Sequence, residues 1–122
     1  MLVPKSTKPR VKEHPMKNLP TDHAAPLSSL AACKPGQVSS RQFTTSSAAN
    51  ALLLAFGEGE SVSEETYPGD TLYLGVEGTA LVSLPDRDER VPAGSALMVP
   101  AGVPHAVSGE GAFKIFQLNV NE

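Results

Sequence analysis

Apolar and polar positions alternate in short bursts over most of the chain after residue 37, with Gly and Pro between one burst and the next. Thr71–Glu77 (TLYLGVE) has a period of two, the spacing of a strand whose successive side chains point to opposite faces. Similar bursts predict strands at Val38–Thr44, Ala51–Phe56, Ser61–Tyr67, Thr79–Leu84, Glu89–Val91, Ser95–Val99 and Ala112–Val120, with one more through Val103, His105 and Val107. Pro68-Gly69-Asp70, Gly78, Pro85-Asp86-Arg87-Asp88 and Pro92-Ala93-Gly94 read as the turns between them. Short strands at roughly 8–12-residue spacing argue an all-β sandwich or barrel. Leu72, Leu74 and Val76 oppose Tyr73, so that strand is apolar on both faces. Its outer wall then needs a cover, either an N-terminal arm or a second subunit.

The stretch Gly94–Gly109 (GSALMVPAGVPHAVSG) carries the most chemistry. Pro100 cannot donate to a ladder and belongs at a strand end, while Gly102 supplies a turn shape that a β-carbon resists. Pro104 marks an edge or a strand entry. Val103, His105 and Val107 then point the same way, which aims one imidazole at an apolar interior.

Residues 1–37 read as an N-terminal arm and 38–122 as the barrel. Pro4, Pro9, Pro15 and Pro20 sit among polar residues without apolar periodicity, so the start of the arm is extended or flexible, and Met16 offers an alternative start. Pro26–Cys33 (PLSSLAAC) predicts one helical turn with Leu27 and Leu30 on one side.

A length of 122 residues suits one domain, and no apolar run approaches the ~18 residues of a membrane span. The single cysteine, Cys33, has no partner for an internal disulfide, which fits a reducing compartment and a cytoplasmic protein. The net charge of −3 is uneven. Through Arg41 there are seven basic residues against Glu13 and Asp22, whereas the other eleven of the thirteen carboxylates follow. Without interleaved aromatics or a nucleic-acid motif, the arm reads as solvated and no nucleic-acid partner is expected.

The glycines and prolines carry a resemblance. Gly94, Pro100, Gly102 and His105 keep the spacing of the second cupin motif, with Gly109 where that motif usually has Asn. Gly59 and Gly78 hold the frame of the first motif, but its ligand positions are occupied by Glu65, Tyr67 and Thr71. The fifteen residues between Gly78 and Gly94 match the short spacing of microbial cupins. From about Gly57 to Val120 the chain thus resembles a small single-domain cupin. The resemblance implies an antiparallel β-barrel (jelly roll), here with an extended N-terminal arm, and a homodimer.

A cupin metal site would need three imidazoles and a carboxylate on one cation. Such a set suits Fe, Mn, Ni or Zn. Here only Glu65 and His105 remain as metal candidates, two strong donors where a catalytic metal needs three or four. No firm cofactor is therefore expected, and a divalent transition metal stays as the alternative. The leading reading is a metal-free polar cluster in which His105 bonds to Glu65 or Tyr67.

Glu65, Tyr67, Thr71, Tyr73, His105 and Gln117 are the candidate ligand-binding residues, and Glu65, Tyr67 and His105 the catalytic candidates. Three functions stay open. One is a barrel that binds a small molecule. Another is an enzyme, either a metal-dependent oxygenase or isomerase, or a metal-free catalyst with Glu65 as base and His105 or Tyr67 as acid. The third is a structural or regulatory dimer whose barrel is filled by side chains.

Overall fold

The computed structural model describes residues 15–121. The expectations for residues 1–14 therefore lie outside the described residues. Seven strands make up almost all of the regular structure: β1 (Val38–Gln42), β2 (Ala49–Phe56), β3 (Val62–Glu65), β4 (Asp70–Ser83), β5 (Asp88–Pro92), β6 (Ala96–Val99) and β7 (His105–Val120). A 3-10 turn covers Leu27–Leu30. All pairing is antiparallel. The main path runs β1-β2-β7-β4-β5, with β3 on β7 and β6 on β4. The result is a curled all-β barrel.

Two long strands, β4 and β7, pair from Asp70↔Val120 to Ser83↔Ala106 and form the spine. Sequence reading divides each into two, with a turn at Gly78 in the first and separate strands through Val107 and over Ala112–Val120 in the second. The structure corrects this. The glycines sit inside continuous strands, where the β4–β7 register shifts between Gly75 and Glu77 and again between Glu77 and Thr79. Gly78 has φ of +68°, a conformation side chains resist, and a β-carbon there would press on Ala112 O at 2.6 Å. The irregularity also changes parity. Thr71 and Tyr73 are buried before it, and Ala80 and Val82 after it, so one strand keeps feeding the same interior across a bend.

Two apolar clusters result. The inner one includes Phe56, Tyr73, Val82, Val91, Val107, Phe113 and Ile115, with the Phe56 and Phe113 rings stacked 4.2 Å apart. The outer one has Phe43, Ala51 and Leu53 buried against Val76, Phe116 and Leu118, and its cover is the arm residues Leu19, Leu27, Leu30 and Ala31. The two-faced strands thus find a partner within the chain. Backbone bonds hold the arm there, from Lys17 N to Phe43 O (2.8 Å) and from Thr45 N to Pro15 O (2.9 Å). Lys114 adds a bond from its ammonium to Ser28 O at 2.6 Å.

Candidate functional site

The site lies where β3 crosses the inner end of β7. Glu65 and His105 are cross-strand partners, which brings a residue of the first motif frame beside one of the second. The Pro100–Gly102 turn delivers His105. Its conformation is held by Ala101 N donating to the Asp70 carboxylate at 2.8 Å and by Gly102 N donating to Tyr67 O at 2.9 Å. Asp70, a turn carboxylate, therefore ties the strand carrying Tyr73 to the loop that leads into His105.

His105 is 3% exposed, and both ring nitrogens are engaged. Nδ1 lies 3.0 Å from Val103 O, and a carbonyl can only accept, so Nδ1 carries the proton. Nε2 then accepts from the Tyr73 hydroxyl at 2.8 Å. Tyr73 is itself 1% exposed, its ring edge-on to the imidazole with centroids 5.6 Å apart. The expected partner of His105 was Glu65 or Tyr67, and the structure corrects that to Tyr73. Tyr67 instead donates its hydroxyl to the exposed Glu65 carboxylate, with its ring tilted 5.7 Å from the imidazole.

Both phenols are held in the neutral form. Burial, followed by the hydrogen bond and the charge of Glu65, pushes Tyr67 up to about 12, against a smaller lowering by Gln117. Tyr73 is raised further, first by burial and then by the neighbouring Tyr67 and Glu65. Neither is available as a phenolate base or metal ligand at neutral pH.

These groups surround a cavity of about 170 Å³ lined by Leu52, Leu54, Val62 and Val107 on its apolar side, and by Ser63, Glu65, Tyr67, Tyr73, His105 and Gln117 on its polar side. Thr71, expected on the lining, does not reach it. It accepts from Asn119 Nδ2 at 2.6 Å, and Asn119 Oδ1 in turn accepts from Gln117 Nε2 at 2.9 Å. Thr71 thus orients Gln117 from behind. Asn119 escaped the sequence reading, although its parity with Gln117 on one strand was a usable signal. Leu52 and Leu54 were missed because every position of ALLLAF is apolar, so periodicity could not say which leucines face in.

The donor set does not fit a cupin-type transition metal. Among the described residues, no group of three or more His, Cys, Asp or Glu converges. The one imidazole spends both nitrogens inside the protein. A metal at Nε2 would have to displace the buried Tyr73 hydroxyl, and only Glu65 could serve as a second strong ligand.

No family model matches the chain, and no curated protein matches it. Solved structures do. A cupin superfamily protein of Desulfitobacterium hafniense is 40% identical, with 88% of this chain and 98% of that one covered and a TM-score of 0.85. A conserved protein of unknown function from Streptococcus pyogenes has a TM-score of 0.84 at 21% identity, over 88% of this chain and 94% of its own. Salicylate 1,2-dioxygenase of Pseudoaminobacter salicylatoxidans shares the fold alone, with a TM-score of 0.63 at 15% identity over 76% of this chain and 29% of that one. Identity across nearly the whole of the Desulfitobacterium chain joins the motif glycines and prolines and the curled antiparallel sheet, and together they make this chain a member of the cupin superfamily.

Proposed function

We propose that this cupin binds a small organic molecule beside Glu65, Tyr67, Tyr73 and His105 without the help of a metal. The cavity carries the reading. A barrel serving only as structure would be filled by side chains, whereas this one leaves about 170 Å³ walled by leucine and valine and edged by polar groups. The volume falls below the ~300–1,000 Å³ of pockets for drug-sized ligands, so the ligand has only a handful of heavy atoms.

The test is a thermal-shift screen of small polar compounds on the wild type and on Val62→Phe, which fills the cavity from the edge strand β3. Hits that stabilise the wild type and lose their effect in the variant support the reading. A screen without hits, or hits indifferent to the filled cavity, would refute it. Elemental analysis of protein purified without chelator completes the test. Near-stoichiometric iron, manganese, nickel or zinc would overturn the metal-free assignment.

A second reading, a metal-free acid/base enzyme, draws on the Glu65–Tyr67 pair at the cavity mouth. There Glu65 is the base and Tyr67 the hydrogen-bond donor, while His105 acts only through Tyr73. Partner and compartment belong to the same proposal. On the outer face the register sets Leu118, Leu72 and Met98 side by side, and Met98 is 56% exposed. This row suits a second copy, and light scattering at a range of concentrations tests for the homodimer. The protein acts in the cytoplasm on this reading, as its lone cysteine suggests.

A further inference from the structure

The polar atoms around the cavity are unevenly spent. Most donors are committed: Tyr67 O–H to Glu65, Tyr73 O–H to His105 Nε2, His105 Nδ1–H to Val103 O, and one Gln117 amide N–H to Asn119 Oδ1, which leaves the second Gln117 N–H beside Tyr67. What remains toward the cavity is mostly acceptors. These are the second Glu65 oxygen, Gln117 Oε1 and the lone pairs of the two phenol oxygens, with the Ser63 hydroxyl able to serve either way.

The charge is equally one-sided. Glu65 is a carboxylate, both phenols are held neutral, and no Lys or Arg lines the cavity among the described residues. Two tyrosines line the same space, and aromatic rings attract cations. A carboxylate or phosphate ligand would find no cationic donor, only the Ser63 hydroxyl and one Gln117 N–H, and would meet the Glu65 carboxylate. An ammonium group brings donors for these acceptors and the positive charge that this wall lacks.

Resting on the reading of the cavity as a ligand site, we propose that the site selects a small organic cation, an alkylammonium or similar group. Its charge sits at the Glu65 carboxylate and its short alkyl part lies against Leu52, Leu54, Val62 and Val107.

Three probes of one size test this at pH 7 and low salt by calorimetry on the full chain: isobutylammonium, isobutanol and isobutyrate. The ammonium is expected to bind about tenfold more tightly than the alcohol, the scale of a charge-assisted hydrogen bond, and the carboxylate weakest of the three. Glu65→Gln keeps the shape and removes the charge. It is expected to bring the ammonium down to the affinity of the alcohol while the alcohol itself binds as before. Equal binding of ammonium and alcohol to the wild type, tighter binding of isobutyrate, or a preference that survives Glu65→Gln would overturn the selectivity and leave the cavity reading standing. If none of the three binds, both fall together.

Discussion

Replacing Tyr73 with Phe is the sharpest probe of how the barrel interior is held. The substitution keeps the ring and removes one oxygen, so it opens almost no space. What it takes away is the only donor to His105 Nε2 among the described residues, a nitrogen on a residue 3% exposed, from a residue 1% exposed. Unless a water enters from the adjoining cavity, the imidazole is left with a buried, unpaired acceptor. The cost is therefore set by desolvation of the stranded group and not by the modest net worth of an average hydrogen bond, which gives about 1–3 kcal/mol. For a domain of this size that corresponds to a fall in Tm of about 4 °C for each kcal/mol.

Urea unfolding at one protein concentration is the assay, because association would shift the midpoint. The midpoint should drop while the slope stays that of the wild type. A cycle with His105→Ala should then show a coupling of about 1 kcal/mol or more, since without the imidazole the tyrosine hydroxyl has lost its partner. If Tyr73→Phe lies within about 0.5 kcal/mol of the wild type, or the two substitutions simply add, the Tyr73–His105 bond is not what satisfies the buried ring.

Three further outcomes are expected. The chain has two tyrosines and no tryptophan, so near-ultraviolet phenolate absorbance reports Tyr67 and Tyr73 alone. In the folded protein both should stay silent through the ordinary phenol range near 10, with Tyr67 ionising at about 12. Because the folded state then holds protons the unfolded state has released, the contribution of these two phenols to stability should be constant below about pH 10 and fall as pH rises toward 12; a phenol ionising near 10 in the native protein would contradict this. Gly109→Ala should destabilise by about 1–3 kcal/mol in denaturant melts, since its β-carbon would be driven into the Phe113 ring with Thr79 O at 2.9 Å behind it. Asp70→Ala removes the acceptor for Ala101 N at 2.8 Å and should cost about 1 kcal/mol, read in the same melts, while freeing the turn before His105 to move.

The barrel was legible because its punctuation is physical. Pro100 ends β6, Pro104 precedes β7, and His105 and Val107 face inward together, each following from a ring that fixes φ or from the pleat. The meeting of Glu65, Tyr67 and His105 was legible through the motif frame. What the sequence hides is whether a glycine ends a strand or bends it. Gly78, Gly109 and Gly111 look alike on paper, and only the pairing of β4 with β7 shows that all three lie within long strands, Gly78 and Gly111 in the irregular stretch and Gly109 in regular register with Ala80. Gly109 also accounts for the missing motif Asn, since any side chain there would collide with Phe113. The choice of Tyr73 as the partner of His105 was hidden for another reason. It depends on how the curl of the sheet ranks several inward-facing groups by distance, and spacing alone does not encode that.

The central position of β7 sets a condition on folding. It is the last strand in chain order, yet β2, β3 and β4 all depend on it for hydrogen-bond partners. Until its sixteen residues are available, three earlier segments hold open edges and an uncovered apolar face. Closure must then join distant parts of the chain at once, a slow and all-or-none event. During synthesis, the interval before His105–Val120 emerges is when this chain is most exposed to pairing with the wrong neighbour.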